Sequence, residues 1–342
     1  MGTNAKSFPW DQRQPVAYKI ETFKRLQHPT GRDENGEINC IPFGMPANLE
    51  PEQLKEVDQF MQLLSDYAEK CDIDNPSEEP DAKNLDSVTV AEFIAGFNYP
   101  DALALVNGIT RSLLGVASKE PSALFFLDIF KRATGLKNVI SDFKDGAQYL
   151  RDRQGNQSFR DRLAAGLKAG SVKVSSAVEA ITQKEDETCK AETIDGDVYR
   201  AGKVIVSVPT PLYSLIHFEP SLPPATKALG RMWSRLLAEE RKRIVLQDIR
   251  TAFGTVLDTV SEPINVIEKD WTKDPWAQGG PGPVWRPGFL AGESGKAIAE
   301  PFGNIHFVGT ETASVWRGYM DGAVRSGIRG GQEVVAQLNF SA

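Results

Sequence analysis

The sequence contains few cysteines and few histidines. Each occurs three times in 342 residues, and no two cysteines have the Cys-x-x-Cys spacing. This pattern argues against a disulfide framework and a zinc site, and it suits a reducing compartment. The histidines are too scattered for a metal cluster, so we expect no metal and assign them structural roles. These residues are Cys40, Cys71, Cys189, His28, His217 and His306.

Long apolar runs are also missing. No stretch approaches the roughly 20 apolar residues that a membrane-spanning helix needs, and the first residues lack the apolar core of a signal peptide. We therefore expect a cytoplasmic protein with no membrane span. The net charge of −7, without any basic run, argues against a nucleic-acid partner. The sequence is compatible with a homo-oligomer.

The composition is that of a globular protein, with 41% hydrophobic and 25% charged residues. The length allows two domains or one large one. Apolar residues recur at helical spacing in several stretches, and the neighbouring Phe125, Phe126 and Phe130 are predicted to lie in a core. The predicted helices cover residues 51–71, 87–93, 102–114, 122–132, 155–167 and 236–248.

Strands are predicted mainly in the second half of the chain. Alternating apolar residues over 171–183 predict a strand, and residues 192–199 predict a hairpin. Residues 203–212 predict a buried strand ended by proline, and residues 31–36 resemble a hairpin tip. A strand of this kind indicates an α/β sheet without indicating a function.

The segment from Asn304 to Gly327 is the most informative. It predicts a short strand (305–308), a tight turn at Gly309, a polar loop and a helix packed through small residues. A strand, turn and helix direct backbone N–H groups and a helix N-terminus at one point, which suits a phosphate or a flavin ring. The spacing alone also fits a terminal strand and helix that merely close a domain.

The residues of this segment resemble a known family. Gly309-Thr-Glu-Thr-Ala, followed by Trp-x-Gly-Tyr-Met-x-Gly-Ala-Val-x-Ser-Gly, resembles the C-terminal FAD-binding segment of the flavin-containing monoamine oxidases. The resemblance implies an α/β (α+β) fold with two domains: an FAD-binding sheet built from discontinuous segments, and a largely helical substrate domain. The implied parts are residues 1–150 (substrate domain), 151–215 (FAD-domain strands), 216–270 (shortened substrate domain) and 271–342 (C-terminal FAD-binding segment).

The resemblance also implies site residues. Tyr319 matches the catalytic tyrosine that forms one wall of an aromatic cage facing the flavin, and ring faces attract cationic nitrogen. Trp285 lies in the segment of the other wall, although its assignment stays open. Ile140 and Gln148 match substrate-lining residues. The implied cofactor-binding residues are Val178 at the adenine end, Trp271 near the flavin, Gly309, Thr310 and Glu311 on the ribityl and phosphate side, Gly318, Tyr319, and Met320 at the isoalloxazine.

The implied reaction is FAD-dependent oxidative deamination of a primary or secondary amine, with hydride transfer to the flavin and reoxidation by O2 to H2O2. Some family members attach FAD through a cysteine shortly after the Gly279-Gly280 pair, but no cysteine follows Cys189 here. The FAD is therefore expected to be non-covalent. The partner is a small-molecule amine. A monoamine is favoured, and polyamine and amino-acid substrates stay open.

Two departures from the family pattern bear on activity. The sequence has no Gly-x-Gly-x-x-Gly turn between a strand and a helix, and the resemblance is expected to begin only near residue 85 or somewhat earlier. Between Leu229 and Met232 the sequence passes directly to a helix that comes late in members of the family. The substrate-domain strands that lie between these points in relatives are missing, and with them the lysine that lies near flavin N5. The chain is thus either an oxidase from a truncated gene or a shortened paralogue with a binding or non-redox role. The C-terminal match disfavours an unrelated α/β protein.

Overall fold

Helices occupy most of the described first half of the chain. The structure is a computed structural model that describes residues 29–32, 38–40, 51–97, 102–140, 147, 153–184, 188–227, 242–243, 245–247, 249–250, 260–280 and 282–340. The helices up to residue 140 are α1 (Pro51–Lys70), α2 (Ala82–Ser87), α3 (Val90–Ala95), α4 (Ala102–Leu114), α5 (Ala123–Arg132) and α6 (Leu136–Ile140). They confirm the predicted helices at 51–71, 102–114 and 122–132.

Side-chain caps fix where two of these helices begin. The Thr89 hydroxyl accepts the Glu92 N–H, and the Glu92 carboxylate accepts the Thr89 N–H at 2.8 Å, which is a capping box. The Ser122 hydroxyl likewise accepts the Phe125 N–H at the start of α5. Each cap satisfies backbone donors that the first turn of a helix leaves free.

Helix α5 is the centre of the helical part. Every residue of it except Lys131 is buried, and it packs against α1, α2, α3 and α6. The rings of Phe126 and Phe130 meet edge to face with centroids 4.6 Å apart. Phe125, Phe126 and Phe130 are 3%, 1% and 0% exposed, which confirms the predicted core.

Two sheets follow along the chain. The larger consists of β3 (Val178–Gln183), β4 (Cys189–Thr193), β5 (Val198–Ala201) and β7 (His217–Glu219), in the order β5-β4-β3-β7. Its pairs are antiparallel except β3 with β7. The smaller is a parallel pair of β6 (Val204–Val206) and β8 (Ile305–Phe307). The predicted hairpin at 192–199 is the β4–β5 turn.

An antiparallel pair and two further helices lie elsewhere. Strands β1 (Pro29–Arg32) and β2 (Ile38–Cys40) pair antiparallel, which agrees with the predicted hairpin, although its tip lies outside the described residues. Helix α7 (Gln157–Ala165) confirms the helix predicted over 155–167, and α8 (Pro224–Lys227) follows β7. The helix predicted over 236–248 falls largely outside the described residues.

Two predicted strands are shorter than expected. Of residues 171–183 only β3 is a strand, because Val172 and Val174 are 51% and 81% exposed and Ser175 has a positive φ of 56°. Of residues 203–212 only β6 is a strand, and Ile205 on it is 44% exposed rather than buried. Prolines at 209 and 211 cannot donate to a strand ladder, and residues Thr210–Leu215 form a 3₁₀ helix instead.

The last two helices are α9 (Glu293–Ala297) and α10 (Met320–Phe340). Helix α10 packs on β8 through small residues, as predicted. A side-chain carbon at Gly330 would lie 2.4 Å from Val308 Cγ1, so only glycine permits this approach. The buried His306 ring lies 2.8 Å from the Glu333 carboxylate of α10. No helix in the described ranges is long and apolar enough to cross a membrane.

We predict that Phe126→Ala lowers the free energy of unfolding by about 3–5 kcal/mol, because it leaves a cavity at the centre of the helical core. Urea unfolding followed by circular dichroism measures this. The matched control is Phe159→Ala, since the Phe159 side chain is 53% exposed, and its expected effect is below about 1 kcal/mol. Equal effects of the two changes would contradict the described core.

Candidate active site

The larger of two adjoining cavities opens at the ends of the parallel strands β6 and β8. Its volume is about 810 Å³, within the range of roughly 300–1,000 Å³ that is common for ligand sites. Ser207 and Pro209 follow β6, and Gly309, Thr310 and Glu311 follow β8. The carboxyl ends of parallel strands are where open α/β sheets bind their ligands.

Glycine makes up much of the wall of this larger cavity. Gly279, Gly280, Gly282 and Gly309 all line it, together with Trp271. Gly309 has a φ of +131°, and a side-chain carbon there would lie 3.1 Å from a Glu311 carboxylate oxygen. These positions therefore present bare backbone to the cavity, which allows a flat ligand to approach closely.

The smaller cavity, of about 240 Å³, is walled by aromatic and aliphatic side chains. Trp285 is 2% exposed, and its ring centroid lies 5.1 Å from that of Phe125. Tyr319 lines the same cavity and meets Trp316 edge to face at 5.2 Å. The two cavities share lining residues, which are Leu114, Gly282, Pro283, Thr310 and Glu311.

A buried ion cluster supports the loop between β8 and α10. The carboxylate of Asp128 on α5 accepts Arg132 Nε at 2.6 Å and Arg317 Nη1 at 3.0 Å through the same oxygen. Arg132 also donates to the backbone carbonyls of Ala313 and Ser314 at 3.2 and 2.8 Å. Because the three charged side chains are at most 10% exposed, the cluster fixes the loop against the helical part.

Burial changes the ionisation of three groups at the cavities. It raises the pKa of the Glu311 carboxyl, which the Arg317 charge partly offsets. It also raises the pKa of the Tyr319 hydroxyl. Burial lowers the pKa of the Arg317 guanidinium to about 9, although the Asp128 charge opposes this change. Arg317 therefore stays predominantly charged at neutral pH, and Tyr319 stays neutral.

The sequence matches one family model along most of its length. The model, described as flavin containing amine oxidoreductase, matches residues 12–238 and 229–335. The chain belongs to the flavin containing amine oxidoreductase family. The match begins well before residue 85, where the first recognisable motif stands, so the resemblance reaches further toward the N-terminus than the motifs indicated.

Individual relatives support this assignment. Probable flavin-containing monoamine oxidase A of Dictyostelium discoideum is 26% identical over 337 residues, covering 80% of this chain and 73% of that protein. The flavin-containing amine oxidase of Oncorhynchus mykiss is 24% identical over 390 residues, covering 94% and 72%. The solved structure of cyclohexylamine oxidase from Brevibacterium oxydans superposes with a TM-score of 0.74 at 23% identity, covering 91% and 82%, which shows the fold.

These alignments also bear on the segment that the sequence predicts to be missing between Leu229 and Met232. The alignment with the Oncorhynchus relative runs over 390 positions, whereas this chain has 342 residues. That relative therefore contains residues within the aligned region that this chain lacks. The two segments of the family match meet at residues 229–238, which agrees with the jump predicted between Leu229 and Met232.

Family membership identifies FAD as the cofactor, and the larger cavity fits its flavin end. The glycine-lined wall and the edge at Thr310 and Glu311 suit the flat ring and its ribityl chain. The same cavity offers no cationic side chain to the diphosphate of FAD, because no lysine or arginine is among the described residues that line it. The described ranges also hold no group of three or more potential metal ligands.

The structure brings some of the predicted site residues together. Trp271, Gly309, Thr310 and Glu311 line the larger cavity, and Thr310, Glu311, Gly318 and Tyr319 line the smaller one. Trp285, whose assignment the sequence left open, faces the same cavity as Tyr319. Trp271 is 54% exposed, so it closes an edge of the larger cavity.

Other predicted residues lie away from both cavities or outside the description. Val178 begins β3, is 36% exposed and lines neither cavity, and Met320 is 48% exposed at the start of α10. Ile140 is the last residue of α6, but its side chain lies outside the described part. Gln148 lies entirely outside it. Their roles stay predictions.

Sequence reasoning missed the ion cluster. Asp128, Arg132 and Arg317 were not among the predicted site residues, although Asp128 and Arg132 stand four residues apart in a helix that is otherwise apolar except for Lys131. A carboxylate and an arginine at this spacing on a buried helix would have indicated an internal ion pair. Arg317 carried no such signal, because its partner Asp128 is distant in sequence.

We predict that Asp128→Asn lowers the free energy of unfolding by about 3–5 kcal/mol, because two buried arginines would lose their shared counter-charge. Chemical unfolding at neutral pH measures this. The control is Asp321→Asn, whose partner Arg325 is exposed like Asp321 itself, and here we expect a change below about 1 kcal/mol. An Asp128→Asn protein as stable as the parent would contradict the role given to the cluster.

Proposed function

We propose that this protein catalyses FAD-dependent oxidative deamination of an amine with a single amino group. The observation that carries the proposal is the shared boundary of the two cavities at Thr310 and Glu311. A flavin in the glycine-lined cavity would present one edge to the aromatic-walled cavity, where an amine would bind. We also propose that the FAD is held without a covalent bond, and that the protein is cytoplasmic.

The residues of the smaller cavity would bind and orient the amine. The ring face of Tyr319 supplies negative electrostatic potential toward the nitrogen, and Trp285, whose ring carries the Arg317 guanidinium at 4.5 Å, forms part of the wall. Leu113, Leu114 and Ile129 exclude water, which favours the neutral amine whose lone pair assists loss of hydride from the adjacent carbon. Bound flavin supplies the oxidant, accepting the hydride equivalent and passing the electrons to O2, which gives H2O2.

The residues of the larger cavity would position the cofactor. Gly309 and Thr310 follow the end of β8 after one residue, Val308, so the strand end sets their place. The Thr310 hydroxyl donates to the Tyr319 carbonyl at 3.0 Å, which couples the cofactor side of the site to the amine side. Trp271 would cover an exposed edge of the flavin. We keep Gly318 and Met320 as proposed contacts of the ring and Val178 as a proposed contact of the adenine.

A second candidate function is a binding or non-redox role. The lining of the larger cavity favours it, because no lysine or arginine stands among the described residues there, and charged diphosphate contacts are worth on the order of 1.5–3 kcal/mol each. In this case the aromatic-walled cavity would still bind an amine without oxidising it. The two candidates differ in whether the protein takes up FAD.

We predict that the purified protein, incubated with FAD and freed of excess by gel filtration, shows a flavin absorption spectrum. Anaerobic addition of an amine substrate should bleach it, and air should restore it with formation of H2O2. Denaturation in acid should release all of the flavin if it is non-covalent. A protein that stays colourless in excess FAD would contradict the oxidase function and favour the binding role.

We predict that Tyr319→Ala slows anaerobic bleaching by amine at least about tenfold, because the cage loses a ring that orients the nitrogen. The flavin spectrum itself should persist. Stopped-flow absorbance measures the rate. Tyr199→Ala is the control, since Tyr199 lies on β5 and is 41% exposed, and it should leave the rate unchanged. Equal rates in all three proteins would remove Tyr319 from the site.

A further inference from the structure

The smaller cavity has a positively charged wall that amine binding does not explain. Arg317 lines this cavity, and its guanidinium carbon lies 4.5 Å from the centroid of the Trp285 ring. The side chain is 10% exposed. Its Nη1 donates to Asp128 Oδ2 at 3.0 Å, while its Nε and Asp128 Oδ1 are both buried without a hydrogen-bond partner.

The charges around Arg317 do not cancel it. Its ion-pair partner Asp128 also binds Arg132, so two guanidinium groups share one carboxylate. Arg132 has further partners in the carbonyls of Ala313 and Ser314. Glu311 is the remaining carboxyl at the cavity, and burial raises its pKa. Asp128, Arg132 and Arg317 together have two guanidinium groups for one carboxylate.

The direction of Arg317 is set by its surroundings. Trp316 and Gly318, on either side of it, have positive φ angles of 55° and 86°. The Trp316 N–H donates to the Arg132 carbonyl at 3.0 Å. Stacking on Trp285 then fixes the plane of the guanidinium. A planar guanidinium held in this way matches a carboxylate, which it binds with directional, charge-assisted hydrogen bonds.

We propose that Arg317 binds a carboxylate of the substrate, so that the substrate is an amino acid with an apolar side chain rather than a simple alkylamine. This rests on the proposed function and refines its substrate. The amine would lie toward Tyr319, two residues further along the chain, and the apolar side chain against Phe125 and Ile129. Arg317 acts here as a specificity-determining residue.

A simple alkylammonium ion suits this cavity less well. The two guanidinium groups that share the Asp128 carboxylate would repel it. A site built to bond a polar group discriminates strongly against an analogue that lacks the group, because its own polar atoms are then left unpaired. Both effects favour the carboxylate-bearing substrate.

The test uses three compounds with the same apolar body. Leucine carries both groups, 3-methylbutylamine lacks the carboxylate, and 4-methylpentanoate lacks the amine. With the FAD-loaded protein, leucine should bleach the flavin at least about tenfold faster than 3-methylbutylamine at equal concentration. Arg317→Gln should slow bleaching by leucine about 10- to 100-fold more than it slows bleaching by 3-methylbutylamine. Faster bleaching by 3-methylbutylamine in the parent protein would overturn the proposal.

Binding of 4-methylpentanoate, measured by calorimetry, does not depend on turnover. The parent protein should bind it about tenfold or more tightly than 4-methylpentanamide, and Arg317→Gln should abolish this difference. Arg325→Gln is the control, because Arg325 is exposed and pairs with Asp321. Equal binding of acid and amide by the parent protein would overturn the proposal.

These two measurements separate the inference from the proposed function. If neither leucine nor 3-methylbutylamine bleaches the flavin, the oxidase function fails, and the carboxylate preference is decided by the binding data alone. Circular dichroism checks that Arg317→Gln is folded. If it is not, Arg317→Lys replaces it, since lysine keeps the charge but loses the planar fork, and acid binding should then weaken only in part.

Discussion

The described site depends on the two hydrogen bonds that the Asp128 carboxylate accepts. This carboxylate lies on the most buried helix of the structure and receives hydrogen bonds from Arg132 and Arg317, which come from the helical part and from the C-terminal loop. A buried carboxylate of this kind contributes less to net stability than to geometry, because desolvation offsets much of the attraction. Its effect here is to hold the loop that carries Tyr319 against Phe125 and Ile129.

The second constraint is the parallel pairing of β6 with β8. Both strands end at the same edge, so the segments that follow them, at Ser207 and at Gly309, reach the same cavity although about 100 residues separate them in sequence. One wall of the site thus comes from the sheet and the other from the helices. The division of the chain into four parts, made from the sequence, stays a prediction.

Local patterns in the sequence predicted the helices better than the strands. Helical spacing and caps are short-range signals, and helices α1, α4 and α5 fall within a residue of their predicted bounds. The strand predicted over 171–183 failed in its first half because exposed valines there mimic a buried pattern. A buried strand was predicted over residues 203–212, but the prolines at 209 and 211 end the strand early.

The candidate site was predictable only where it is continuous in sequence. Gly309, Thr310, Glu311 and Tyr319 belong to one motif, so the resemblance located them together. Asp128 and Arg317 meet from positions 189 residues apart, and no local pattern links them. The place of Trp285 beside Arg317 likewise depends on tertiary packing, which the sequence of its own segment does not encode.

The sharing of Asp128 by two arginines has an evolutionary consequence. Asp128 and Arg132 form a balanced pair on one helix, and Arg132 also donates to the loop carbonyls, so the loop has a contact with that helix besides the one from Arg317. The charge of Arg317 is therefore surplus to the pair that maintains the fold. Descendants of this protein could exchange residue 317, and with it the charge that lines the smaller cavity, while the pair of Asp128 and Arg132 stays intact.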